Sequence, residues 1–409
     1  MGDHDLHWPP PSTDVDYLSN LPDSLLLHIL SCLTAHNSVR TSVLARRWRN
    51  LWASVPTIFF DYYDFHPDIV SRADEIVHRF IASRRSSSAV FSLCMNLNLI
   101  CPITWIDYAK SHGALSVSLY LPYHPLQTSI FYTLFNWSSL LVLHLQFDFA
   151  WPRVDIPPGC IALSNLKTLS LRVGVFSEES MRMLLASCPN LEILFLDLSA
   201  NYDAGIEIAV PNLRRLIVIG TQSKTRINCR NLESFCIDSS SYLHECHVYA
   251  PSLVWVHLAQ FRWCHTLASS LRNVAVLGIS LLTLPADLEE HLSMIESFKL
   301  FHKIQKLKVY LHLRYEFTMQ LLFLFLQEIP NLPSLHLIDE TYEEDSFSPY
   351  SLMDDAWREF LQIMPSKSLN NLELVLVQIE SESARSTTLE MLSEKVQEWD
   401  SVVVRYIEY

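Results

Sequence analysis

The sequence predicts an α/β chain in two parts: three short N-terminal helices, then an irregular solenoid whose short parallel strands line a concave face. Three observations predict it. A six-residue apolar frame recurs about twelve times between Val90 and Leu374, helical stretches lie between its copies, and closely spaced apolar stripes precede Asp61. With 409 residues and 49% hydrophobic content, the chain can bury one large core or a stack of small ones.

Residues 1–14, MGDHDLHWPPPSTD, are acidic and Pro-rich and are expected to form a disordered tail. They lack the cationic start and apolar run of a secretory signal, so export is not expected. The Met-Gly start does not complete a myristoylation pattern, because Leu6 stands where that pattern has Ser or Thr. In SNLPDSLLLHILSCLTAHN, Ser19 to Asn37, Pro22 suits a first helical turn, and Leu25, Leu26, Ile29, Leu30 and Leu33 form one stripe. Asn37 is expected to cap a second helix carrying Val39, Val43 and Leu44. A third holds Trp48, Leu51 and Trp52 and ends before Pro56. Three helices in about forty residues make little private core, so they should lean on something else.

The stretch VRTSVLARRWRNLW, Val39 to Trp52, concentrates four arginines and two tryptophans. Arginine beside indole suits phosphate contact and base stacking. The chain as a whole argues otherwise: 30 Lys+Arg against 44 Asp+Glu gives a net charge of -14, which repels polyphosphate. The remaining reading is a helical segment that docks on a protein, with indoles as anchors and arginines as a polar rim.

Residues 62–88 are expected to connect the two parts. In DIVSRADEIVHRFIASRRSSS, Ile69, Ala73, Ile76, Val77 and Phe80 share one helical face, and this helix is expected to cap the first repeat.

The repeats are expected over residues 89–380. The frame is apolar, two of any residue, apolar, one of any residue, apolar. Clear copies begin at Leu166, Leu191, Leu213, Leu232, Leu253, Ile304, Leu332 and Leu369, and weaker ones at Val90, Ala114, Leu140 and Val274. The spacing runs from 19 residues (Leu213 to Leu232) to 37 (Leu332 to Leu369), centred on the period of leucine-rich repeats. The last two apolar positions lie two apart and point to one side of a short strand. One unit cannot bury that side, whereas stacked units can. Pro189, Pro211, Pro251 and Pro330 mark the turns leading into strands, and SEESMRMLLASC, Ser177 to Cys188, reads as an amphipathic helix between two of them. The asparagine that many such repeats carry after the strand is mostly replaced, by Asp148, Ser199, Thr221 and Ser240. Only 7 glycines occur, which argues against a glycine-dependent β-helix and most phosphate-cradling loops.

Residues 381–409 are expected to close the stack with a helix in LEMLSEKVQEWD and a strand in VVVRYIEY, and the acidic stretch from Asp339 to Tyr350 to be a solvated insertion. LLFLFL, Leu321 to Leu326, is too short to cross a bilayer and reads as a buried helix. The nine cysteines follow no disulfide framework, as expected in a reducing compartment. HECH, His244 to His247, lies near Cys229, Cys236, Cys264 and His265 in the chain, but the spacings match no zinc module, so these read as strand and loop residues and no metal is expected.

Taken together, LPDSLLLHILSCL, VRTSVLARRWRNLW, the following VP and FFD at Phe59 to Asp61 resemble the F-box of plant F-box/LRR-repeat proteins. The resemblance covers residues 15–61, with irregular leucine-rich repeats behind it. Cys32 departs from the usual Phe, and Ala45 from the usual Ser before the basic pair; a lost Ser cap weakens a helix start by about 1 kcal/mol, so somewhat weaker docking is expected. The resemblance implies a non-catalytic substrate receptor of a ubiquitin ligase, whose F-box binds a Skp-type adaptor and through it a cullin. Carried over, Leu21, Pro22, Leu25, Ile29, Leu30, Val43, Leu44, Trp48, Leu51 and Trp52 form the adaptor-facing and helix-packing surface. The setting expected is cytoplasmic and/or nuclear, with no cofactor, nucleic acid or membrane.

The register names the residues expected to meet a target protein on the concave wall. They include His144, Arg172, Phe195, Asp197, Arg215, Ile217, Asp238, Trp255, His257, Lys306, Lys308, Tyr310 and His336, a mixture suited to polypeptide. Trp255 and Tyr310 stand out as large aromatics. An enzyme is the competing class, but G-x-S-x-G, Walker, H-E-x-x-H and dinucleotide motifs are all missing from the sequence. A hormone or small-ligand sensor on the same scaffold, and a repeat scaffold with a weakened F-box, compete with the receptor as well.

Overall fold

In the first helix, α1 (Asp23–Ser31), the apolar stripe divides along two adjacent lines. Leu26 and Leu30 are fully buried, while Leu25 and Ile29 face outward. At 100° per residue only one line can meet the small core that Leu26 and Leu30 make with Trp48 and Val55, against which Leu21, Leu27, Leu33, Ala45 and Leu51 pack. Helix α2 (Ala35–Arg40) is capped by Thr34, not by Asn37 as the sequence predicts. The Thr34 hydroxyl accepts the Asn37 backbone N–H at 3.4 Å and the Asn37 amide at 3.1 Å. Asn37 therefore falls in the first turn, where its side chain reaches back to the cap. The third expected helix is a 3₁₀ run, Trp48–Ser54.

The computed structural model describes residues 18, 20–64, 72–84, 90–96, 102–120, 128–147, 159–172, 177–199, 205–220, 224–238, 246–259, 265–280, 298–301, 303–311, 322, 325, 326, 328, 329, 332–339, 373–377 and 403–407. The expected N-terminal tail, Ile69, the acidic insertion beyond Asp339 and the final helix lie outside them. The chain divides into two units, Met1–Asp148 and Phe149–Tyr409.

In the first unit, β1 (Thr57–Asp61), β2 (Ser92–Asn96), β3 (Ser116–Tyr120) and β4 (Val142–Gln146) pair in parallel, in chain order. Helices α3 (Ala73–Ala82), α4 (Pro102–Ser111) and α5 (Thr128–Phe135) connect them. The helix expected to cap the repeats is thus the crossover of the first one. Its Phe80 meets Phe60 edge-on at 5.2 Å and Trp52 at 5.3 Å. The edge strand is β1, which follows a copy of the frame not counted from sequence: Val55, Ile58 and Phe60, all buried. The N-terminal helices therefore run into the sheet without a linker, and Val55, part of the helical core, stands three residues before Ile58 of β1.

In the second unit, ten strands pair in parallel. They are β5 (Thr168–Arg172), β6 (Ile193–Asp197), β8 (Arg215–Ile219), β10 (Ser234–Asp238), β12 (Trp255–Ala259), β13 (Val276–Ser280), β14 (Lys306–Leu311), β15 (Ser334–Asp339), β16 (Glu373–Val377) and β17 (Val403–Ile407). The register stays in step: Leu169, Leu194, Leu216, Phe235, Val256, Leu277, Leu307 and Leu335 stand side by side, each at 0% exposure. The frame placed at Leu369 is two residues out. Leu335 pairs with Leu374, so that copy begins at Asn371. The closing strand is present as β17, paired to β16. Leu322, Phe325 and Leu326 are helical and buried, and no described helix is long and apolar enough to cross a membrane.

Between strands the outer element changes from repeat to repeat. Where 25 residues separate Leu166 from Leu191, helix α6 (Glu178–Ala186) fits, capped by the Ser177 hydroxyl on the Ser180 N–H. The next three spacings are 22, 19 and 21 residues (Leu191, Leu213, Leu232, Leu253), and there the outer segments are strands instead: β7 (Ile206–Ile208), β9 (Thr225–Asn228) and β11 (Cys246–Tyr249). An extended segment spans the same distance with fewer residues than a helix. They form a second sheet in the order β11-β9-β7. Helix α7 (His265–Ser270) borders β11, where Thr266 and Ser270 hydroxyls accept the Cys246 and Val248 N–H groups at 3.4 and 3.5 Å. The edge is thereby satisfied by side chains. Cys229 and Cys246 are buried on or beside these strands, the place expected of them; His244 and Cys264 lie outside the described residues.

Two ladders tie successive repeats. The amides of Asn190, Asn212 and Asn231 donate to the carbonyls of Ser164, Pro189 and Pro211 at 2.8, 2.9 and 2.9 Å, one repeat back. The asparagine rung missing after the strand is supplied before it. Two positions along, Lys167, Glu192, Arg214 and Glu233 alternate in charge, with ion pairs of 3.0 Å (Lys167 to Glu192) and 2.7 Å (Arg214 to Glu233). These pairs are exposed and contribute little. Asn212→Ala is expected to lower stability by about 1 kcal/mol, read as a small drop in the thermal midpoint; no change would show that water replaces the rung at no cost.

Candidate functional site

On the N-terminal helices the sequence-predicted docking residues separate into two groups. Leu25, Ile29, Val43 and Leu44 are 49, 37, 85 and 67% exposed, Pro22 is exposed beside them, and Leu21, Leu51 and Trp52 are half-buried. Leu30 and Trp48 are interior, Trp48 at 4% exposure. The expectation that both indoles anchor a partner is therefore corrected. Trp48 fills the gap between α1 and the 3₁₀ run, and Trp52 stacks toward Phe80 while its indole N–H donates to the Arg49 carbonyl at 3.1 Å. Leu18, 54% exposed, is a further apolar residue of this module that the carried-over set does not include, although an apolar residue just ahead of an apolar helix was the available signal.

Local chemistry holds this face in place. Arg47 reaches back to Asp23 in the first turn of α1, its Nε donating to Oδ1 at 2.9 Å. The Ser38 hydroxyl, buried, donates to the Leu30 carbonyl at 3.0 Å and joins α2 to the end of α1. Ala45 packs its methyl against the helical core and its carbonyl accepts the Trp48 N–H at 3.1 Å, while the cap position of the 3₁₀ run falls on Arg47, so a Ser in place of Ala45 would not stand at the cap. Exposed Leu, Ile and Val side chains thus gather on a module with little core of its own.

The second set lies on the sheet face opposite the core. His144 occupies the middle of β4 in the first unit. In the second unit, Arg172, Phe195, Asp197, Arg215, Ile217, Asp238, Trp255, His257, Lys306, Lys308, Tyr310 and His336 all fall on non-core strand positions, as the register predicted. Arg172 is tied to Asp197 at 2.9 Å, which makes that pair part of the wall. Burial, then the nearby Asp197 carboxylate, holds Asp238 above the usual carboxylate range.

From β12, the next strand, to β14, aromatic groups converge. Trp255 and His257 stack with ring centres 5.9 Å apart, and His257 meets Tyr310 edge-on at 4.7 Å. Gly278, which no sequence motif marks, makes this arrangement possible: a Cβ there would stand 2.7 Å from His257 Nδ1. A glycine inside a strand pattern was the usable signal. Burial and then the Lys308 charge push the His257 imidazolium down to about 4, so the ring is neutral near pH 7.

A short helical module with an exposed apolar face, running directly into stacked β/α repeats, is the architecture of an F-box protein with leucine-rich repeats. Comparison with known proteins gives the family. Residues 18–60 match the F-box domain, and residues 104–337, more than half the chain, match the repeats described as "FBD-associated F-box protein At5g56370, LRR repeats". Among Arabidopsis thaliana proteins, FBD-associated F-box protein At3g52670 is 28% identical over 88% of this chain and 81% of its own length. F-box/LRR-repeat protein At3g26922 is 33% identical over 58% of this chain and 80% of its own, and F-box/LRR-repeat protein At3g03360 is 34% identical over 44% of this chain and only 38% of its own. The chain belongs to the plant F-box/LRR-repeat family.

Proposed function

We propose that the chain is a substrate receptor of a Skp-cullin-F-box ubiquitin ligase, with its N-terminal helices on a Skp-type adaptor and its sheet face on a target protein. The observation that carries this reading is the exposed set Leu25, Ile29, Val43 and Leu44 inside the segment that matches the F-box domain. Catalysis falls to partners: the receptor raises the local concentration of a target lysine near charged ubiquitin. The reading needs no cofactor and sets the protein in the cytoplasm and/or nucleus.

Co-purification with adaptor and cullin tests it. Leu25→Asp with Leu44→Asp changes two exposed residues and leaves the core alone, so the fold should persist. Adaptor affinity should fall by about 100-fold, roughly 2.8 kcal/mol. Recovery of the adaptor at wild-type levels with this double variant, or failure of the wild type to bind any Skp-type adaptor, would remove the proposal.

A further inference from the structure

The sheet face of the second unit changes character from β12 to β15. Across neighbouring strands, one row reads Trp255, Val276, Lys306 and Ser334, the next His257, Gly278, Lys308 and His336. The rings of Trp255, His257 and Tyr310 form a half-buried platform seated over Gly278, and β14 adds two ammonium groups at its far side. Among the described residues, no carboxylate lies within ion-pair distance of Lys306 or Lys308, in contrast to Arg172 on the same face. The aspartates of that face, Asp197 and Asp238, stand on β6 and β10, away from the lysines, and the row of Lys306 and Ser334 continues into Glu373 on β16, two strands from Lys306.

The geometry points to a short acidic peptide segment as the ligand of this platform, its carboxylates at Lys306 and Lys308 and an apolar side chain on Trp255 and Tyr310. The two inter-strand gaps from β12 to β14, about 4.8 Å each, make a span of about 10 Å, which about three extended residues cover. A rigid aromatic floor beside half-buried cations suits such a segment, because the rings take apolar area at low entropic cost while the ammonium groups select charge. A nucleic-acid strand combines stacking with negative charge too, but a long polyanion would run over Asp238 and Asp197 on a chain of net charge -14.

The inference rests on the receptor reading above, and the test keeps the two apart by following adaptor and peptide separately. Full-length protein bound to its Skp-type adaptor is titrated with fluorescent peptides of about eight residues that combine glutamates with one Leu or Phe. Controls are the same peptides with Lys for Glu, and a single-stranded oligonucleotide of equal charge. Binding of the acidic peptides alone is expected, weakened at least about tenfold by Lys306→Glu with Lys308→Glu and also by Gly278→Val, which displaces the imidazole with both lysines intact. Lys306→Gln with Lys308→Gln gives the same contrast should charge reversal impair folding. The adaptor stays bound in every variant. Equal binding to wild type and lysine variants, no acidic-peptide binding by an adaptor-bound receptor, or preference for the oligonucleotide overturns the inference; loss of the adaptor from the wild type overturns the receptor reading instead.

Discussion

Trp48→Ala should melt the N-terminal helices, not merely weaken docking. The indole is 4% exposed in a core of four buried residues, where Trp→Ala removal typically costs about 3–5 kcal/mol. A module this small has little else to hold it. Val55 carries the loss onward, because it packs in the same core and begins the frame that continues through Ile58 and Phe60 of β1. Hydrogen exchange on the full chain is the measurement: protection at Leu26, Leu30 and the β1 to β2 bonds should fall in Trp48→Ala, while Leu44→Asp should leave it intact. Trp48→Phe should keep most of the protection and the adaptor. Full protection in Trp48→Ala would mean that the helices draw their stability from elsewhere.

The sequence disclosed the repeats because an inward pair two residues apart, anchored by a third apolar position, has a period that neither helix nor loop shares. It hid the copy at Val55, since VPTIFF served equally well as the end of an F-box. In NNLELVLV two frames overlap, and the one starting on Asn371 lacks the apolar anchor that made Leu369 the better match, although backbone pairing chose the former. The outer strands were only partly written in the short spacings, since the 21 residues from Leu253 to Val274 hold helix α7 instead. The docking face was harder. With apolar residues on both sides of α1, composition cannot say which side finds a partner within the chain, and only the position of Trp48 decides it. His257, Trp255 and Tyr310 were placed on the right face, but their convergence depends on Gly278, whose contribution is the room left by a missing side chain.

The same distinction between a missing side chain and a special backbone predicts a large effect at Gly220. Its φ is +76°, and a Cβ there would lie 2.5 Å from the Cα, backbone nitrogen and Oγ of Ser199; the hydroxyl can rotate away, but the two backbone atoms cannot. The site is where successive repeats are tied together. Gly220 N–H donates to the Asp238 carbonyl at 2.7 Å, and Leu198 N–H to the Ile219 carbonyl at 2.7 Å. Gly113 has φ +83° but nothing within 4 Å of its imagined Cβ, so Gly113→Ala should cost only the left-handed conformation, about 1–2 kcal/mol. Gly220→Ala adds a backbone clash to that cost and should lose about 3 kcal/mol or more, displacing the turns that follow β6 and β8. In stacked repeats such damage stays near its origin, so exchange at Leu198 and Gly220 should quicken more than exchange at β14. Equal losses in the two glycine variants would mean that the turns can separate freely, and that close approach at Ser199 contributes nothing to the register of β6, β8 and β10.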